Sequence, residues 1–423
     1  MQRYESYKPS GVKWLGDIPS HWNLKKSKFL WREKEDRSML GDEQLLSVSQ
    51  YSGVVPRTED SRSESLEDYK RCEPNDLVIN IMLAWMSGLG ISKHSGIVSP
   101  AYCVYRQLEN HNSSYFDYLY RTPQYLAEFA RRSKGIVPSR WRMYTEDFGQ
   151  VLSILPPRSE QDRIVAFLDY KTADIDAAIE KKEQLIELLE SQKKSLIYEA
   201  VTKGIHREKR TAQQTNLPWL QEIPSHWAIL RLKSLATFIT SGPRGWSDRL
   251  SGDGPIFVQS GNLNNSLGLN IEDANRVLVP KGAEAKRTRL QDNDVVICIT
   301  GANTGRVAVA NIGDQEAYVN QHLSLVRLKN VNPRFVAYSL SAPGGSYFYL
   351  CQYGLKEGLS LFNVANAPVA LPPLAEQDEI VEFLDLGVRK VDSAMTLAKK
   401  QIDQLQELKR TLISVVVTGK LKA

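Results

Sequence analysis

The chain says nearly the same thing twice, and a duplicated chain has to fold into two versions of one architecture. Trp14–Trp22 reads WLGDIPSHW and Trp219–Trp227 reads WLQEIPSHW. Leu155–Asp169 reads LPPRSEQDRIVAFLD and Leu371–Asp385 reads LPPLAEQDEIVEFLD. The offsets are 205 and 216 residues, so order is kept while spacing drifts by a short indel. A repeat this long is a duplicated domain rather than the short unit of a solenoid. It predicts internal pseudo-two-fold symmetry, which suits a target that is itself roughly two-fold, duplex DNA being the commonest.

Each copy reads as a mixed α/β region followed by a long helix. Pro156-Pro157 precede the first helix, where proline is tolerated, and Ser159, Glu160 and Gln161 supply first-turn capping and acidic chemistry. No proline or glycine interrupts the stretch up to Thr202-Lys203-Gly204, and the second copy ends likewise at Thr418-Gly419. An apolar seam follows: Ile175, Ala178, Leu185, Leu189 and Leu196, interrupted by Lys182 and Gln192. Its counterpart is Val391, Ala394, Ala398, Ile402, Leu405, Leu408 and Leu412. Such a seam with charged flanks is a coiled-coil pattern. Because the second helix pairs with the first only by running back, the pair is antiparallel and the termini come together. The fold class is therefore α/β (α+β), with two globular mixed domains separated by two long antiparallel coiled-coil helices. The boundaries fall at 1–157, 158–204, 205–373 and 374–423. A helix of about 40 residues is on the order of 60 Å long, so the pair reads as a rigid spacer.

The globular parts match more loosely. Asn75–Asn80 (NDLVIN) and Asn293–Cys298 (NDVVIC) each predict a turn and then a buried strand. Glycine-bearing turns follow at Ser87–Gly90 and Thr300–Gly305, then helices near Tyr115–Arg132 and Pro333–Tyr349. A similar framework with divergent loops implies two related domains of different specificity.

No apolar run approaches the roughly 18–20 residues of a membrane span, and the N-terminus lacks a signal-peptide core, so a cytoplasmic location is expected. The four cysteines (Cys72, Cys103, Cys298, Cys351) lie far apart and read as reduced, mostly buried thiols. No phosphate-binding loop, dinucleotide fingerprint or zinc-ligand spacing is present. His21 and His226, equivalent in the SHW copies, read as structural groups. No catalytic residue and no metal ligand is assigned.

Net charge is +5, a weak lean toward a polyanionic partner, so local clusters carry more. Arg131, Arg132, Lys134, Arg140 and Arg142 lie between Glu128 and Glu146 without an intervening acid, with Trp141 among them. Glycine and proline make this a loop from which long cations reach phosphate while Trp141 packs or stacks. In the second copy the corresponding loop near Gly354–Ser360 is far less basic, with Lys356 its cation. The other candidates there are Arg244, Lys281, Lys286, Arg287 and Arg289. Gln259, Asn262, Asn264 and Asn265 are amides able to read adenine edges, but they read better as turn formers.

Together, the W-L-x-x-I-P-x-H-W opening, the L-P-P-x-x-E-Q-D-x-I-V-x-F-L-D entry into a long helix, and the duplication of both resemble the specificity subunit of Type I restriction–modification enzymes. GIVSPAY at Gly96–Tyr102 and NQHL ending at Leu323 look like the same family. The resemblance implies that each globular region is a target recognition domain reading one half of a bipartite site in double-stranded DNA. The helices would set the unread gap and dock two methyltransferase subunits, with motor–nuclease subunits joining for cleavage. AdoMet, ATP and Mg²⁺ would then belong to the partners, and this chain would hold no cofactor and perform no catalysis. Two reading heads about 34 Å apart would each enter a groove on one face of the duplex. The alternatives are a self-contained nuclease or methyltransferase with duplicated domains, and a coiled-coil scaffold that binds protein only.

Overall fold

A computed structural model describes residues 2–57, 66–137, 140–206, 211–352 and 358–423. It divides into two compact units, Met1–Lys182 with Lys400–Ala423, and Glu183–Lys399. Each unit contains a stretch of both long helices, which run over Arg158–Lys203 and Leu374–Val417. No helix among the described residues is long and apolar enough to cross a membrane.

In the first unit an antiparallel sheet has the strand order Trp31–Glu33, Tyr102–Gln107, Leu77–Asn80, Leu89–Ile91. The second unit repeats that order with Ala236–Ser241, Leu323–Leu328, Val295–Cys298 and Val307–Val309. The NDLVIN and NDVVIC segments supply the third strand of each sheet, and all four of its residues are buried in both cases. Asn75 and Asn293 adopt left-handed backbone (φ 74° and 71°), a conformation asparagine tolerates better than most residues. Each neighbouring aspartate then caps the turn, Asp76 Oδ2 accepting from Glu73 N and Asp294 Oδ2 from Gln291 N, both at 2.8 Å.

Each single helix expected after the sheet is in fact two. Ser113–Tyr120 is followed by Pro123–Arg132, and Pro333–Ser341 by Pro343–Cys351. Proline cannot continue a helix through its own amide and disfavours helical backbone in the residue before it. The second helix of each pair therefore starts afresh at its proline.

A two-stranded ribbon closes each unit and brings the two repeated motifs together. Asn23–Lys26, directly after Trp22, pairs antiparallel with Leu152–Leu155, directly before Pro156. In the second unit Ala228–Arg231, after Trp227, pairs with Pro368–Leu371, before Pro372. The first turn of the long helix thus meets the SHW segment. Glu160 Oε2 accepts from Trp22 Nε1 at 3.0 Å and lies 2.8 Å from His21 Nε2. Glu376 repeats this with Trp227 (3.3 Å) and His226 (2.9 Å). The next residue, Gln161, accepts from Asn112 N and donates to Pro156 O at 2.8 and 2.9 Å, while Gln377 does the same with Asn332 N and Pro372 O. Asp162 and Asp378 each accept from the side-chain amide of that asparagine at 2.7 Å. The EQD triplet is a joint between head and helix, and both histidines are part of it.

Along the helices the observed seam keeps most of the expected residues and departs from it at a few positions. Thr172, Ile175, Ile179 and Lys182 face inward in the first unit, and Ile186, Leu189, Lys193 and Leu196 in the second. Leu185 stays 39% exposed. On the other helix Val388, Val391, Met395 and Ala398 face inward, then Ile402, Leu405, Lys409 and Leu412, while Ala394 and Leu408 are exposed. The expected Ile175, Leu189, Leu196, Val391, Ala398, Ile402, Leu405 and Leu412 do face inward, and the reading slips by one position at Leu185, Ala394 and Leu408. Among the inward lysines, Lys193 and Lys409 are each neutralised by an aspartate across the seam. Lys409 Nζ bonds Asp176 at 2.6 Å in the first unit, and Lys193 Nζ bonds Asp392 at 2.7 Å in the second. Asp176 and Asp392 are equivalent positions of the repeat, as are Lys193 and Lys409. In the second unit Leu196 packs on Gly387, three residues forward and five back from that ion pair, so the helices are antiparallel as expected.

The first core is aromatic, built on Trp22, Trp31, Tyr115, Phe116, Tyr120, Tyr125, Phe129 and Phe148, with Ile164 and Leu168 from one helix and Val416 and Val417 from the other. The second is mainly aliphatic around the sheet, with Ala200, Val201, Ile380, Leu384 and Val388 as its helical contributions. At the chain ends Lys422 N donates to Gln2 O at 2.9 Å, so the termini meet within the first unit.

Both helices stop at glycines with left-handed backbone, Gly204 (φ 70°) and Gly419 (φ 73°). A Cβ at Gly419 would lie 2.5 Å from Pro19 Cδ, whereas at Gly11, also at φ 73°, it would meet nothing. Gly419→Ala is expected to cost clearly more in urea unfolding than Gly11→Ala, whose cost of about 1–2 kcal/mol is conformational alone.

The carboxyl of Glu160 is pulled two ways. Burial raises its pKa, but hydrogen bonds from His21 and Trp22, with the Tyr4 hydroxyl nearby, outweigh this and hold it below the usual carboxylate range. Its contribution to stability is therefore full above a pH of about 4.3 and lost as pH falls through the lowered value. Glu160→Ala is expected to cost about 2 kcal/mol at neutral pH, because the buried Trp22 N–H loses its acceptor. The variant should also show a shallower decline of stability on acidification.

Candidate nucleic-acid interface

Beyond the C-terminal end of each buried central strand, three loops gather at one end of the sheet. In the first unit these are the turn through Ile81–Gly88, the turn before Tyr102, and the Lys134–Arg142 loop. Met143 N donates to Ile81 O at 2.9 Å, and Trp85 meets Trp141 edge-on at 5.3 Å between centroids. In the second unit Leu359 N donates to Ile299 O at 2.7 Å, the matching contact.

The first-unit cations are not equally free. Arg131 and Arg132 both bond the buried Glu128, Arg131 at 2.7 Å. Burial raises the Glu128 pKa, but the two guanidiniums outweigh it and hold the carboxyl below its ordinary range. Lys134 pairs with Asp147 at 3.0 Å. Arg142 bonds the carbonyl of Trp141 at 2.8 Å, and Arg140 is exposed. An unbroken basic run in sequence is thus, in three dimensions, half neutralised by acids on the flanking helices. Among the described residues, Arg140 and Arg142 are the cations of this loop without an acid partner.

The second unit builds its loop end from other chemistry. Arg244 is exposed on the turn that follows Ala236–Ser241, beside Gly245 at φ 77°. Gly242 packs so closely on the backbone of Asn320 that a Cβ would lie 2.2 Å away, which ties this turn to the NQHL segment. His322 Nδ1 lies 2.6 Å from Thr300 Oγ1 and its Nε2 lies 3.2 Å from Gln321 Nε2, tying NQHL to the TGANTG turn. Arg287 Nη1 donates to Thr240 Oγ1 at 2.8 Å, which brings the helix Ala283–Thr288 alongside. Lys281, Lys286 and Arg289 are exposed around that helix. Lys356 lies outside the described residues.

The amides Gln259, Asn262 and Asn264 are turn formers. Gln259 and Asn262 make a reciprocal capping box, and Asn264 Oδ1 accepts from Ser266 N and Gly268 N at 3.0 and 2.9 Å. Asn265 O accepts from Lys193 Nζ at 3.2 Å. Sequence reasoning missed Thr300, Asn303, Gln321 and His322 as a polar cluster. The available signal was a run of amides and a histidine before a strand, opposite a threonine- and glycine-rich turn. His111 is a structural residue: burial against Trp31 and Phe116 pushes its pKa down to about 4.

The sequence model of the Type I restriction modification DNA specificity domain matches residues 224–407. A putative Type I restriction enzyme specificity subunit, MjaX, of Methanocaldococcus jannaschii is 24% identical over 63% of this chain and 59% of its own length. The EcoBI specificity subunit of Escherichia coli is 21% identical over 83% of this chain and 74% of its own, and a second M. jannaschii subunit, MjaVIII, is 21% identical over 63% and 61%. The match to the first of these thus spans less than two thirds of that relative. Among solved structures, a chain from a study of complex assembly and conformational transition of the type I R-M system superposes with a TM-score of 0.73. It is 16% identical, covering 96% of this chain and 99% of that one. The HsdS subunit of Thermoanaerobacter tengcongensis superposes at 0.55, also 16% identical, over 96% and 98%. Sequence and fold agree: the chain resembles the specificity subunits of Type I restriction–modification enzymes, and its residues 224–407 match the Type I restriction modification DNA specificity domain.

Proposed function

We propose that this chain is the DNA-reading subunit of a Type I restriction–modification complex and is not itself catalytic. The observation that carries the reading is the pair of equivalent loop clusters. Two sheets of the same strand order present loops of different chemistry at the same end, cations with paired tryptophans in one unit and amides, histidine and arginine in the other. Each cluster reads one half of a bipartite gapped site, with phosphate contacts positioning and base contacts specifying. The long helices set the gap and dock two methyltransferase subunits, while motor–nuclease subunits join for cleavage. AdoMet, ATP and Mg²⁺ act on those partners.

The helices offer matched docking points. Tyr170 and Leu386 occupy the same repeat position, immediately after the FLD triplet, and are 62% and 51% exposed. One partner surface engaging both positions would bind twice.

Direct sequencing of modified bases in cells carrying this chain and its methyltransferase, against cells lacking only this chain, is expected to reveal a gapped two-part motif that disappears with the chain. An unchanged methylation pattern with a competent methyltransferase overturns the proposal. In the assembled complex, Arg140→Ala with Arg142→Ala should weaken duplex binding and flatten the slope of log K against log salt by about 2. Tyr170→Asp with Leu386→Asp should reduce co-purification of the methyltransferase while leaving the thermal unfolding of the chain itself unchanged.

A further inference from the structure

The NQHL segment, Asn320–Leu323, joins strands Ala317–Val319 and Leu323–Leu328, and its backbone is fixed from several sides. Asn320 N donates to Val258 O at 3.0 Å, Leu323 N to Asn320 O at 3.1 Å, and Ile299 N to His322 O at 2.9 Å. Three of its four side chains serve the fold. Asn320 is buried, with its Oδ1 accepting from His322 N at 3.1 Å, and Leu323 is buried against the sheet. The His322 ring is placed by Thr300, Nδ1 lying 2.6 Å from Oγ1. Gln321 is half-buried, and its one side-chain bond among the described residues joins Nε2 to His322 Nε2 at 3.2 Å. An amide nitrogen has no lone pair, so the ring nitrogen accepts, and the ring proton stands on Nδ1 and goes to Thr300. Gln321 keeps one N–H and its carbonyl oxygen. Turning the amide over, with the ring donating, also leaves it a donor and an acceptor side by side.

The first unit shows which part of this is framework. Leu323 lies opposite Cys298 and Tyr102 opposite Asn80, so Asn320, Gln321 and His322 correspond to Ser99, Pro100 and Ala101. The cap is kept, Ser99 Oγ accepting from Ala101 N at 3.3 Å, but the amide and the ring are both replaced. We propose that Gln321 reads an adenine in the major groove for the second unit, with His322 and Thr300 as its positioning residues. This rests on the DNA-reading function proposed above and assigns to it one residue and one base. Adenine presents the N7 acceptor beside the N6 donor there, and a side-chain amide meets both in one plane. Guanine presents two acceptors, which leaves the amide oxygen facing a carbonyl. A free glutamine gives up rotamer freedom when it binds, whereas Gln321, held on the ring, has given it up on folding. Arg244, exposed on the turn whose Gly242 packs against Asn320, is a cation for the neighbouring phosphates.

The test uses the chain assembled with its methyltransferase and a duplex carrying the methylated motif, varied one base pair at a time. Gln321→Ala is expected to lose discrimination roughly tenfold or more at one A·T pair of one half-site, outside the methylated adenine. The other half-site, the salt slope and the thermal unfolding of the chain should be unchanged. Replacing that adenine by 7-deazaadenine, which lacks N7, should weaken binding by the wild type and have little effect on Gln321→Ala. Gln321→Glu, whose carboxylate accepts from the cytosine N4 amino group, should move the preference at that position toward cytosine. His322→Phe, which keeps a ring without its nitrogens, should lower discrimination at the same position. Full discrimination in Gln321→Ala, or an even loss at every position of both half-sites, overturns the assignment and leaves the DNA-reading function standing. So does a loss confined to a G·C pair, or one that 7-deazaadenine does not reproduce. Absence of specific duplex binding in the wild-type complex overturns the DNA-reading function itself.

Discussion

The joint between the SHW segment and the first turn of the long helix is the interaction on which the rest of each unit depends. A ribbon pairing Asn23 with Leu155 delivers Trp22 to the helix start, and the Glu160 carboxylate then receives the indole N–H and the His21 ring. An acid in a first helical turn is already favoured by the helix dipole, so one side chain satisfies the helix end and a buried tryptophan together. Glu376 does the same for the other unit. Gln161 and Asp162 extend the joint to the start of the helix at Ser113, through Asn112. The direction in which the long helix leaves the head is thereby set by several polar bonds acting together, one of them the buried Trp22–Glu160 bond.

With the joint in place, the framework and the loops at the far end of the sheet vary independently. Strand order, the left-handed asparagine before the central strand, the proline-started second helix and the glycine helix stops are the same in both units. The loops at the far end of the sheet share almost nothing. The framework is specified by non-local pairings and burial, whereas the loops need only begin and end at fixed points. Duplication followed by divergence at one end is the natural outcome of that physics.

Much of the architecture was legible in the chain, and what was not has identifiable causes. Helix starts, helix stops and the buried strands were readable because proline, glycine and runs such as VVIC act locally. The seam was placed correctly at most positions and slipped by one at Leu185, Ala394 and Leu408, where Ile186, Met395 and Lys409 face inward; at the last of these a lysine stands where an apolar residue was expected. Only an aspartate on the other helix makes a lysine acceptable there. The basic loop was readable as a cluster but not as a functional set. The share of Glu128 in Arg131 and Arg132, and of Asp147 in Lys134, emerges only when the flanking helices fold over. The polar cluster of Thr300, Gln321 and His322 joins turns separated by two strands, so no short sequence window contains it.

By itself, the sequence determined that there are two copies of one unit, that each ends in a long helix, and where those helices begin and stop. These follow from repetition and from the backbone limits of proline and glycine, which act within a few residues. The tertiary structure alone decided which seam positions a lysine fills, which cations are left free of acids, and which loops share one end of a sheet. Those depend on charges and backbones far apart in the chain meeting in space, and the energy of an ion pair or a packed glycine exists only once they have met.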